Sequence, residues 1–224
     1  MNERSPTVIT DHILIAVTDL AEGARWLDAE FGLRALPGGR HPGAGTANMI
    51  VPLGSAYLEL IAVVDPEEAA RAPTSVRITR AVAEGRRFAT WAVRTGDLGA
   101  LREHLQQAGW KLPEPNQGSR LRPDGVTLRW RTQFLAPLGE SSVLPFVIEW
   151  SVPSGMHPGE MAGDHPSGAR GIRRVRLGDP DPAAASERLR PLLGSGPGVS
   201  VEPSGVSGVV AVEIETPGVA LVVR

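Results

Sequence analysis

A chain of 224 residues, 42% hydrophobic and 21% charged, is long enough to bury a full core, which excludes wholesale disorder and fibrous architectures. A formal net charge of −2 and a pI near 6.2 supply no overall field for nucleic acid or an anionic membrane, so a small molecule is the expected partner. With no cysteine, disulfides, thiolate catalysis and Cys-bearing zinc sites are excluded, and any metal must be held by His, Asp or Glu.

The opening stretch MNERSPTVITDH mixes charges with few apolar residues, and no run of about 18 apolar residues follows. Neither a signal peptide nor a membrane span is predicted, and a cytoplasmic location is the default expectation. A short grammar then recurs three times: an apolar strand, an Asp-Leu or Asp-Pro helix start, an amphipathic helix and further strands. The first copy, 11–64, has strand DHILIAV (11–17), Asp19 as helix N-cap, a helix near 21–31 ended by Gly32, and strands at 33–37, 46–53 and 56–64. A Gly- and Pro-rich loop is expected over 38–45, and residues 65–86 read as a helical connector.

The second copy, 87–152, has strand RFATWAVRT (87–95), a cap at Asp97 and a helix with Leu98, Leu101, Leu105 and Ala108 on one face. Strands at 126–136 and 145–152 complete it. Residues 153–170 read as a linker or ordered loop. The third copy, 171–224, is degenerate, with strand 171–179, helix 182–194 and strands 209–216 and 219–224. These patterns predict an α+β fold of repeated βαβββ modules.

Two acids stand out. Glu59 in AYLELIAVV lies on the face of Tyr57 and Ile61, and an unpartnered carboxylate in so apolar a strand would cost several kcal/mol. Glu149 in PFVIEWSV takes the matching place in the second copy, with Asp19 and Asp97 aligning the copies at their helix starts. The same alignment sets His12, seven residues before Asp19, against Thr90, which is a poor metal ligand. From anchor to acid the copies differ, 40 residues in the first and 52 in the second. The excess falls in PEPNQGSRLRPDG (113–125), a loop placed to overhang a site and bring Arg120 or Arg122 to a substrate.

Through DHILIAVTDL with a following helix ending FG, GGRHPGAGTANMIVPLG (38–54), AYLELIAV, RPDGVTLRW and LPFVIEW, the sequence resembles the glyoxalase-like branch of the vicinal oxygen chelate superfamily over most of 11–157. The resemblance implies that two modules pair into a curved, cup-shaped sheet, with a third partial module extending or capping it. It implies a divalent metal (Zn, Mn, Ni or Fe) held by His12, Glu59 and Glu149, with Thr90 departing from the pattern. It also implies a lyase, isomerase or epimerase that acts on a small oxygen-rich substrate by carbonyl polarisation and proton transfer through Glu59 or Glu149. Arg40, His41, Asn48, Thr90, Arg120, Arg129 and Arg131 are assigned to substrate binding, His41 being also a possible fourth ligand. A homodimer is compatible with this reading.

A competing expectation is a metal-free protein of the same fold that sequesters its ligand, with the acids, Glu149 first among them, paired to arginines. His104, on an amphipathic helix, and His157 and His165, each before a proline, are expected outside the site.

Overall fold

The computed structural model describes residues 7–224 except 123, 138, 139, 141 and 195–197. Its first module runs β1 (Ile9–Ala16), α1 (Leu20–Phe31), β2 (Leu36–His41), β3 (Thr46–Leu53) and β4 (Ala56–Val63). A connector of α2 (Pro66–Arg71) and α3 (Val76–Ala83) leads to the second module: β5 (Phe88–Arg94), α4 (Leu98–Gln107), β6 (Asn116–Leu121), β7 (Thr127–Phe134) and β8 (Phe146–Ser151). After a long strap come β9 (Gly171–Asp179), α5 (Pro182–Leu193), β10 (Val199–Pro203), β11 (Gly208–Glu215) and β12 (Leu221–Val223).

The recurring aspartates start the module helices as the sequence requires. Asp19, Asp97 and Asp181 accept the backbone N–H three residues on, at 2.8, 2.9 and 3.0 Å, satisfying one of the free donors that open each helix.

The first two modules form one eight-stranded sheet, ordered β2-β3-β4-β1-β5-β8-β7-β6. β1 is parallel to β4 and β5 to β8, while the antiparallel pair β1–β5 joins the halves, so the sheet repeats itself about its centre. Curvature brings its two ends together, because β2 packs beside β6. A Cβ on Gly39 would stand 2.5 Å from the Leu121 carbonyl oxygen, and only a glycine permits that approach.

Both faces of the sheet are covered, which is why its central strands are apolar almost throughout. On the outer face Ile13, Ile15, Leu58, Leu60, Trp91 and Val93 share one core with Leu27 of α1, Leu101 and Leu105 of α4, and Val175, Leu189 and Val212 of the third module. On the inner face Leu14, Ile61, Phe146 and Ile148 meet Ile78 and Ala81, so α3 lies across one side of the cup.

The third module does not extend the cup. Its strands make a separate sheet ordered β10-β9-β11-β12, with β10 parallel to β9, and β11 packs against the back of β5. Two strands have no counterpart in the sequence reading, β6 inside the expected loop 113–125 and β10, and β2 begins and ends three to four residues later than expected. All three are edge strands, which bury one side only and tolerate glycine and proline: NQGSRL and LPGGRH carry no apolar alternation, and VSVEP alternates over only four residues before its proline. Among the described residues no helix is long and apolar enough to cross a membrane.

Gly39→Ala is expected to lower stability by about 1–3 kcal/mol, since the added methyl meets backbone that cannot turn aside. Gly96→Ala, where a Cβ meets nothing within 4 Å, is the control and should stay within about 0.5 kcal/mol of the parent in urea denaturation.

Candidate active site

The concave face encloses a cavity of about 310 Å³, at the small end of ligand-binding clefts. β1, β3 and β4 contribute His12, Asn48, Tyr57 and Glu59 to its wall, β6, β7 and β8 contribute Arg120, Trp130 and Trp150, and α3 inserts Arg77.

Its acidic centre begins with a break in strand pairing. Between Thr10 and His12 the register of β1 against β5 shifts, so Asp11 is an extra residue in the ladder. In a regular strand neighbours point to opposite faces. The irregularity lets the side chains of Asp11 and His12 meet, with His12 Nδ1 donating to Asp11 Oδ1 at 2.5 Å. Asp11, without solvent exposure, also accepts from His157 Nε2 at 2.9 Å and Trp150 Nε1 at 3.2 Å, with the Arg94 guanidinium 3.6 Å away. Burial by itself would raise its pKa, but the hydrogen bonds from His12 and His157, and their charge, outweigh it and hold the carboxyl well below the usual carboxylate range. Asp11 is therefore an anion, and it commits Nδ1 of His12 as a donor.

The opposite nitrogen, His12 Nε2, faces Glu59 Oε2 at 3.5 Å. The His12 ring is held by stacking on Tyr57 at 4.5 Å and by the edge of Phe146 at 5.4 Å. Asn48 Nδ2 donates to Glu59 Oε1 at 2.6 Å, fixing the carboxylate plane. Gly38 leaves room for this amide, because a Cβ there would fall 2.0 Å from Asn48 Oδ1. His41 stands 3.8 Å from Glu59 Oε1 and shares a 2.9 Å hydrogen bond with Thr46. Burial, with help from Arg120 and His12 and against the pull of Glu59, moves its pKa below the ordinary histidine value, so His41 is neutral at pH 7.

Of the residues singled out in the sequence, His12, His41, Asn48, Glu59, Thr90 and Arg120 line the cavity. Glu149 does not. On β8 it is Phe146, Ile148 and Trp150 that face the cup, and period-two alternation turns Glu149 to the other side. There its carboxylate accepts from the Leu98 N–H at the start of α4, at 2.9 Å, and from Arg131 at 2.5 Å, the arginine pairing held open as the alternative. Arg129 and Arg131 are exposed on the outer face of β7, whose Trp130 and Thr132 point inward. Arg40 is exposed and sits near Glu68 and Asp65, at 3.7 and 3.9 Å.

The metal ligands His12, Glu59 and Glu149 consequently do not converge. At the places that the strand register makes equivalent to His12 and Glu59, the second module offers a hydroxyl, Thr90, and a phenyl ring, Phe146. Among the described residues no group of three or more His, Asp or Glu side chains is arranged to hold a metal ion. The donor set of this cup does not fit the four-cornered site.

Sequence reading missed Asp11, Arg77 and His157. Asp11 adjoins His12, but alternation assigns it to the opposite face, and only a bulge reverses that. Arg77 lies in the connector and enters the cup through tertiary packing. His157 belongs to the strap 153–170, which is ordered and crosses the sheet: His165 Nε2 donates to the Pro52 carbonyl at 2.7 Å and its Nδ1 accepts from Arg34 N at 3.1 Å. His104 reaches the Pro191 carbonyl at 3.1 Å, far from the cavity wall.

A family profile described as Glyoxalase-like domain matches residues 10–193. Among solved structures, a hypothetical protein from Staphylococcus aureus superposes with a TM-score of 0.75 at 17% identity, covering 96% of this chain and 98% of that one. A Streptomyces coelicolor methylmalonyl-CoA epimerase in complex with 2-nitronate-propionyl-CoA gives 0.48 at 20% identity, over 64% of this chain and 97% of that one. The methylmalonyl-CoA epimerase from Mycobacterium tuberculosis gives 0.47 at 20%, over 68% and 93%. No curated protein matches. At such identities the likeness is one of fold.

Asp11→Asn, which leaves its partners around an uncharged group, is expected to cost about 3–5 kcal/mol at pH 7. Because the folded-state pKa of Asp11 is depressed, its contribution is complete above the ordinary unfolded value of about 4 and fades as pH falls below it. Urea titrations at pH 7, 5 and 3 should therefore show the gap between parent and variant narrowing toward acid; a constant gap would mean that Asp11 is not a buried anion.

Proposed function

The chain belongs to the glyoxalase-like domain family, and we propose that its cup binds a small oxygen-rich molecule and moves a proton at a carbon beside a carbonyl, chemistry of the isomerase and epimerase type. The observation that carries this reading is the Glu59 carboxylate, 6% exposed on the cavity wall, held by Asn48 and placed beside His12 Nε2.

The proposed step breaks a C–H bond of the substrate. The proton goes to Glu59 Oε2 and the bonding electrons move into the adjacent carbonyl to form an enolate. Return of a proton to that carbon, or to its neighbour, gives the epimer or isomer. Asn48 keeps the carboxylate facing the cavity, and Asp11 keeps the His12 ring turned so that Nε2 exchanges protons with Glu59. No step runs through a metal, since the second module lacks the donors.

The metal-free sequestering reading is favoured by a different feature, the aromatic wall. Trp130 and Trp150 meet at 5.2 Å and Phe134 and Phe146 at 5.7 Å, surfaces on which a planar ligand would stack.

Solvent deuterium uptake by hydroxyacetone, pyruvate and 2-oxobutyrate, followed by proton NMR, separates the two. The proton-transfer reading expects catalysed uptake in at least one of them, slowed about 100-fold or more by Glu59→Gln. Glu149→Gln, outside the cup, should leave the rate within about twofold. Tight binding without uptake would instead identify a sequestering protein.

A further inference from the structure

Arg120 occupies an unusual position for a guanidinium. It is 3% exposed, and the space it borders is the cavity. Among the described residues it has no hydrogen-bond acceptor and no carboxylate within ion-pair distance. The carboxylate whose charge acts on it most, Glu59, is already bonded to Asn48 at 2.6 Å. Burial pushes the Arg120 pKa down, yet an arginine keeps its proton at neutral pH, so a charge without a hydrogen-bonded or ion-pair partner remains. Buried charges are ordinarily paired, and leaving one unpaired costs several kcal/mol.

The second guanidinium of the cup does not share this state. Arg77 donates from Nη1 to Thr90 Oγ1 at 3.1 Å and from Nη2 to the carbonyls of Ala136 and Pro137 at 3.1 and 3.2 Å. These three bonds run to neutral oxygens. The planar fork of Arg120 matches the two oxygens of a carboxylate.

We propose that Arg120 binds a carboxylate of the molecule held in the cup, so that its substrates are small carboxylates whose reacting carbon lies toward Glu59. This assignment rests on the proton-transfer reading for the reacting carbon alone; the binding claim stands on the unpaired guanidinium. Arg120 is then a specificity-determining residue, supplied by the edge strand β6 and brought over the acid of the first module by closure of the cup.

Calorimetric titration of the full chain with straight-chain 2-oxo and 2-hydroxy acids of three to six carbons, each beside its primary amide, and with inorganic phosphate tests this. The parent protein should bind at least one acid about tenfold or more tightly than the matching amide. Arg120→Met should bring acid and amide within about twofold, with Arg120→Lys between them, because it keeps the charge and loses the fork. Without ligand, the melting temperature of Arg120→Met should equal or exceed that of the parent, since the substitution removes an unpaired buried charge. Equal binding of acid and amide by the parent would overturn the proposal without recourse to any variant. So would preference for phosphate over every acid, which assigns the site to phosphate esters, or a fall in the ligand-free melting temperature of Arg120→Met, which makes Arg120 structural. Loss of deuterium uptake with the acid preference intact would sink the proton-transfer reading and leave this one standing.

Discussion

A carboxylate with no access to water sits where three separate parts of the chain meet. Asp11 is held by the ring of its own neighbour His12, by Trp150 from the far half of the sheet and by His157 from the strap, with Arg94 of β5 close by. Removing any partner leaves a charge in a medium that cannot solvate it, so strap, central strands and cup wall are locked to each other. The same bonds decide which way His12 turns, and therefore what Glu59 faces. Fold and site share this one cluster.

Around it the two halves of the cup have taken different work. The first module keeps imidazole and carboxylate on its inner face. At the matching places the second presents Thr90 and Phe146, and its conspicuous acid, Glu149, satisfies the opening N–H of α4 and an arginine on the outside. What the second module gives the cavity instead is aromatic surface and, from its edge strand, the Arg120 charge. The connector adds a lid-like helix with Arg77 beneath it. On the proposed reading, proton-moving and ligand-gripping groups come from different copies of one repeated unit; the third copy buttresses the back of the sheet by sharing its core.

The cup's closure explains why glycines crowd its first hairpin. Gly38 yields space to the Asn48 amide and Gly39 to the carbonyl of Leu121, so one dipeptide both orients the acid and seals the sheet where β2 meets β6. A larger residue at either place would disturb the site through geometry, without touching a ligand.

The amino-acid sequence by itself determined the modules. Apolar runs of the right length, aspartates at each helix start and a carboxylate stranded among alkyl side chains are local signals, legible because helix capping and period-two alternation act over a few residues. His12 and Glu59 were legible for that reason. The tertiary structure alone decided the face of Glu149, the existence of β6 and β10, the meeting of Asp11 with His12 and His157, and the entry of Arg77. Each of these depends on register or on packing between distant segments. A shift of one residue exchanges the inside of a strand for the outside, an edge strand needs little apolar pattern because half of it faces water, and a bulge is imposed by the partner strand.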